Sequence, residues 1–201
     1  MDNQEKIKQM QSKFFGQLYA GANLSSVKLS DEHGEKIMEW FRGMKGMLIL
    51  AGNPGCGKTY ICSAALDWMF GKTADIYCTK EHVFMSKIKE SFDLKGDSDE
   101  QIKYLIDHDF YIYDDLGSTG FGMNRESTDV TWKQKVWFLM VEERLVSARP
   151  TIITTNYKRS QIRDNCGERT YSRLYSQDNC IIEMFSYPDL RKPLSWNEGR
   201  F

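Results

Sequence analysis

Short runs of β-branched and aromatic residues recur along the chain at 47–51, 74–79, 110–115, 150–155 and 180–185, and each reads as a strand. Helical periodicity fills the gaps between them. Residues 58–70 place Ile61, Ala65 and Trp68/Met69 on one face, and residues 81–92 place Phe84, Ile88 and Phe92 at spacing four, with Lys87 and Lys89 off the stripe. Residues 131–147 turn Trp132, Val136, Leu139/Met140 and Leu145 inward. Strands alternating with helices call for a parallel sheet covered on both faces, with ligands beyond the carboxyl ends of the strands. Ahead of the first strand, residues 1–45 form a short helical N-terminal extension in two pieces, 4–19 and 31–42, leaving 46–201 as the core. Residues 117–131 are polar and glycine-rich and read as a mobile loop, either a sensor or contact element or a plain connector.

Composition narrows this picture without redirecting it. With 201 residues, 41% hydrophobic and 27% charged, the chain suits one globular domain. A net charge of −1 supplies no global field toward nucleic acid or membrane, so any such contact is local. Five cysteines without a C-x-x-C pair, and only three scattered histidines, fit reduced thiols better than disulfides or a metal cluster. No apolar run approaches the ~20 residues needed to span a bilayer, and the polar start contains no secretory core. A soluble cytoplasmic protein is expected.

The chemistry concentrates at strand ends. Gly52-Asn53-Pro54-Gly55-Cys56-Gly57-Lys58-Thr59 is a complete phosphate-binding loop between a strand and a helix. Its glycines keep side chains away so that backbone N–H groups can surround a triphosphate, and the helix points its positive end at the anion. Lys58 is expected on the phosphates and the Thr59 hydroxyl on Mg²⁺, with Tyr60 completing the nucleotide-binding set. The strand 110–115 ends in Asp114 and Asp115, a pair suited to hold the metal shell and to orient or deprotonate a water. Asn156, at the tip of the fourth strand, can bond a terminal phosphate or simply cap the strand. Arg169 and Arg173, four residues apart on a helix, share a face for a neighbour's phosphate or for surface salt bridges, Glu168 being one partner.

In this order, Gly-Asn-Pro-Gly-Cys-Gly-Lys-Thr, Tyr-Asp-Asp-Leu-Gly, Ile-Thr-Thr-Asn and Ser-Arg-Leu resemble the motifs of the AAA+ ATPases. Asp-Asp-Leu-Gly at 114–117 and Glu-Arg-x-x-Ser-Arg-Leu at 168–174 resemble more narrowly the branch of the helicase loader DnaC and the transposition helper IstB. The resemblance, over roughly residues 22–191, implies a three-layer P-loop fold with strand order 5-1-4-3-2 and no C-terminal helical lid. It implies ATP/ADP and Mg²⁺ as ligands, with Thr59 and Asp114 at the metal, Asp115 acting on the water and Asn156 as sensor. Arg173, or else Arg169, would be the arginine finger given to the next protomer of an ATP-bound homo-oligomer. A single-stranded DNA path would run along 81–92 and 98–107, with Lys80, Lys87 and Lys89 on phosphates, or those lysines would form a solvated face. The implied function is an ATPase that assembles on DNA and helps load a replicative helicase. A transposition helper on duplex DNA, and a nucleotide-dependent interaction module with little hydrolysis, stay open; a small-molecule P-loop kinase fits less well.

Overall fold

Residues 2–73, 75–93, 98–119 and 128–191 are described by a computed structural model. Five strands, β1 (Met47–Ala51), β2 (Ile76–Lys80), β3 (Phe110–Leu116), β4 (Thr151–Thr155) and β5 (Cys180–Glu183), pair in parallel in the order 2-3-4-1-5. This is the expected order read from the other edge. Period two divides the strand side chains between two cores. Leu48, Leu50, Phe110, Ile112, Ile152 and Ile182 face one layer, while Met47, Ile49, Tyr111, Tyr113 and Ile153 face the other.

The first layer holds α1 (Asn3–Phe15), α2 (Asp31–Gly43) and α3 (Lys58–Met69). The second holds α4 (Glu81–Asp93), α5 (Ser98–Ile106), α6 (Thr128–Val146), α7 (Arg159–Cys166) and α8 (Glu168–Leu174). Phe15, Ile37, Trp40 and Phe41 pack in the same cluster as Leu48 and Ile61, so α1 and α2 are built into the α3 layer.

Several boundaries differ from expectation for local reasons. The first helix stops at Phe15 because Gly16 takes φ 93° and caps it, and a 3₁₀ turn at Gln17–Tyr19 follows. Helix α6 starts at Thr128, inside the segment expected as loop; residues 120–127 of that segment lie outside the described residues. Its buried face also rotates: Trp137, Val141 and Arg144 are buried with Val136 and Met140, leaving Trp132, Leu139 and Leu145 half-buried. The Arg144 guanidinium donates to Thr151 Oγ1 (2.8 Å) and to the carbonyls of Ile106 (2.9 Å) and Pro150 (2.9 Å), tying together the starts of β3 and β4. No described helix is long and apolar enough to cross a membrane.

Candidate nucleotide-binding site

A cleft of about 740 Å³ opens at the carboxyl ends of the strands. Its size is that of a small-molecule site. Pro54, Gly55, Gly57, Lys58, Thr59 and Tyr60 line it together with Asp114, Asp115 and Asn156. The loop's shape explains its glycines. Gly55 and Gly57 have φ 84° and 101°, and a Cβ on Gly55 would lie 1.8 Å from Asp189 Oδ1. Gly52 is wedged so that a Cβ would come within 2.8 Å of the Met184 Cβ and 2.9 Å of the Cys56 sulfur. Cys56 itself is buried, while Asn53 is exposed and its amide donates to the Phe185 carbonyl (3.0 Å).

Lys58 is buried, and its ammonium donates to the Gly52 carbonyl (2.7 Å), the Asn53 carbonyl (2.9 Å) and Asn156 Oδ1 (2.9 Å). The lysine is thus held along the loop, and the amide from β4 is bonded to the same group. Loop and strand tip form one polar unit.

Two adjacent residues on a regular strand point to opposite faces, so Asp114 and Asp115 should not share a site. They share it because β3 is irregular there. Tyr113 pairs with Ile153 and Leu116 with Thr155, so three steps on β3 match two on β4. The extra residue is Asp115, at φ 65°, a left-handed conformation that aspartate tolerates better than most residues. Beyond it Leu116 joins the core of Tyr111 and Tyr113, and both carboxylates line the cleft. The buried Thr154 hydroxyl holds this bulge, accepting from the Asp115 N–H (2.9 Å) and donating to Asp114 Oδ1 (2.7 Å). Burial raises the Asp114 carboxyl above the ordinary carboxylate range; the Thr154 hydrogen bond opposes this, Asp115 adds to it, and Lys80 and Lys58 oppose it.

The remaining walls were not legible in the sequence motifs. Phe15, Leu18 and Tyr19 reach the cleft from the N-terminal segment, and Leu190 and Arg191 from the segment after β5. Buried Gln11 fixes the first group: its amide donates to the carbonyls of Ala22 (2.7 Å) and Ser63 (3.0 Å) and accepts from the Gly21 N–H (2.6 Å). On the other rim the Leu190 N–H donates to the Gly55 carbonyl (3.0 Å), and Arg191 pairs with Asp189 (3.1 Å). Next to the acid pair, the fully buried Glu81 accepts from the N–H groups of Gly117 and Thr119 (3.0 Å for Thr119) and from the Thr119 hydroxyl.

The basic residues expected on DNA are dispersed. The register of β2 sets Lys80 opposite Asp114, and its side chain lines the cleft. Lys87 and Lys89 leave α4 on opposite flanks. Lys87 donates to the Tyr77 hydroxyl (2.7 Å), and Lys89 lies 5.2 Å from the Trp132 ring centre. Neither arginine of α8 lines the cleft. Arg173 pairs with Glu142 of α6, which raises its already high pKa, and Arg169 lies 5.8 Å from the Phe138 ring centre. Glu168 pairs instead with Arg163 (3.1 Å).

The buried Asp114 carboxylate and the Thr59 hydroxyl are hard oxygen donors in one cleft, a set that suits Mg²⁺. Among the described residues, no cluster of three or more His, Cys, Asp or Glu could hold a metal alone.

No family model matches the chain. The replicative helicase loader DnaC of Escherichia coli (strain K12) is 24% identical over 164 residues, which are 81% of this chain and 63% of DnaC. The chain therefore spans less than two thirds of the length of the curated relatives it matches. A crystal structure of the DnaC helicase loader aligns with TM-score 0.64 and 22% identity, covering 83% of this chain and 98% of that one. The replication initiator DnaA bound to AMPPCP and single-stranded DNA aligns with TM-score 0.64 and 16% identity, over 81% of this chain and 49% of that one. At these identities the structural matches establish the shared fold.

Proposed function

From its distant homology to the helicase loader DnaC and its AAA+ fold, we propose that the chain binds and hydrolyses ATP in the cytoplasm and helps load a replicative helicase onto DNA. The observation that carries the ATPase reading is the bulge at Asp115. It turns two carboxylates into the cleft that already holds Lys58, Thr59 and Asn156. In that arrangement the loop N–H groups and Lys58 bind the phosphate chain, and Lys58 exchanges its carbonyl acceptors for phosphate oxygens. Thr59 and Asp114 would hold Mg²⁺, which supplies charge neutralisation at the phosphates when bound. Asp115 orients the attacking water or takes its proton, and Asn156 fixes the terminal phosphate on the same side.

Arg173 or Arg169 completes the site from a neighbouring copy in an ATP-bound homo-oligomer. Both lie on α8, outside the chain's own cleft, which suits a group acting in trans. Single-stranded DNA would cross α4, meeting Lys87 on one flank and Lys89 on the other.

The test is capture of the replicative helicase from the host by the intact chain with ATP. The expected result is recovery by wild type and loss with Lys58→Ala, which cannot bind the phosphates. A transposase recovered in its place moves the function to the transposition-helper reading. ATP turnover retained by Lys58→Ala refutes the assignment of the loop.

A further inference from the structure

Among the described residues three cations line the cleft, and they are not equivalent. Lys58 already donates to three oxygens, and Arg191 is paired with Asp189. Lys80 is half-buried at the end of β2, and its ammonium makes no hydrogen bond or ion pair among the described residues. It enters from the β2 side, opposite the loop, with the acid pair between.

We propose that Lys80 binds the terminal phosphate of the triphosphate, as the second lysine of the site and the one that separates ATP from ADP. The inference rests on the reading of the cleft as an ATP site. A phosphate chain seated on the loop has its inner phosphates among the N–H groups at 55–59 and its end directed at Asp114 and Asp115. That end brings the ligand's most concentrated charge against two carboxylates. The Lys58 ammonium sits at the loop side of the cleft. Lys80 balances the far side, and as a compact charge on a flexible stem it can follow a phosphate that moves during reaction. ADP has no group at that position. Lys80 therefore contributes to triphosphate affinity and leaves diphosphate affinity alone, whereas Lys58 contributes to both.

Calorimetry with AMPPCP and with ADP, each with Mg²⁺, tests this on the intact chain. Wild type, Lys80→Ala, Lys80→Gln and Lys80→Arg are compared, with circular dichroism to confirm folding. Lys80→Ala and Lys80→Gln should weaken AMPPCP binding by roughly tenfold to a hundredfold, the loss of one charge-assisted hydrogen bond, and change ADP binding less than twofold. Lys80→Arg should recover part of the triphosphate affinity. Equal losses for both nucleotides, or unchanged AMPPCP affinity in Lys80→Ala and Lys80→Gln when the wild type binds it, overturn the role of Lys80 alone. Faster ATP turnover in Lys80→Ala also overturns it, since the lysine would then be restraining the acids. Loss of single-stranded DNA binding with an unchanged nucleotide ratio would return Lys80 to a DNA contact. A wild type that binds neither nucleotide removes the ATP reading itself, and this inference with it.

Discussion

Replacing Thr154 by valine removes one oxygen and almost no volume, so its consequences isolate the bulge. In the folded chain that oxygen accepts from the Asp115 N–H at 2.9 Å and donates to Asp114 at 2.7 Å, at a residue with no exposure. Losing a hydrogen bond to a charged group costs about 1.5–3 kcal/mol, and an orphaned buried N–H about 1–3 kcal/mol. Asp115 is only half-buried, so its N–H can recover water and the second cost falls toward its lower end. A net destabilisation of about 2–4 kcal/mol follows, a large part of ordinary domain stability. The functional effect is more specific. With its anchor gone, Asp115 has no reason to keep φ 65°, and a relaxed strand would carry its carboxylate to the opposite face. ATP turnover should fall much further than ATP affinity, because the loop and Lys58 are untouched. Denaturant melts and single-turnover hydrolysis measure the two effects, with Thr154→Ser as the control that keeps the hydroxyl. Turnover in Thr154→Val within twofold of wild type, or stability within 0.5 kcal/mol of it (a loss roughly within the range of ordinary surface substitutions), would refute the account of the acid pair.

Glu81 should give the stability a pH dependence of unusual sign. Burial raises its carboxyl despite the hydrogen bonds from Gly117 and Thr119 and the nearby Lys133. The folded state thus holds the Glu81 proton to higher pH than the unfolded chain does, so this group's contribution is greatest at low pH and declines as pH rises above the ordinary carboxylate range. The stability gap between wild type and Glu81→Gln should narrow from pH 4 to pH 7 in urea titrations, and a gap that widens contradicts the burial argument. Arg173→Ala should keep ATP binding and lose turnover, at small stability cost because its pair with Glu142 is exposed. Mixing it with Asp115→Asn should restore part of the ATPase rate, since each protein supplies what the other lacks; no restoration argues against a site shared between copies.

How legible each part was depends on how far its physics reaches along the chain. The glycine-rich loop was legible as a strand–loop–helix connection because its signal lies within eight consecutive residues, and the structure places it between β1 and α3. Buried parallel strands show themselves as apolar runs, and the strand from 47 to 51 came out with the expected bounds. Helix α6 was harder: apolar residues lie all round it, so the stripe alone did not say which side faces the sheet. The acid pair was legible as two adjacent carboxylates at a strand end and opaque as geometry. Nothing in Tyr-Asp-Asp-Leu announces a bulge, and strict period two argues against two adjacent acids in one site.

Thr154 illustrates why such geometry escapes a one-dimensional reading. In Thr-Ile-Ile-Thr-Thr it looks like any β-branched strand former, and its task exists only because β4 lies beside the irregular end of β3. Lys80 is the converse case. Beside Glu81 and the α4 pattern it groups naturally with Lys87 and Lys89, yet the pairing of β2 with β3 sets it opposite Asp114. Local pattern decides what alternates along one strand. Which strand ends converge is decided by the order 2-3-4-1-5, and only that order makes Lys80, Asp114, Thr154 and Asn156 neighbours of the loop. Placements that depend on a single segment are therefore recoverable from sequence, whereas placements that depend on two strand ends become visible once the sheet is assembled.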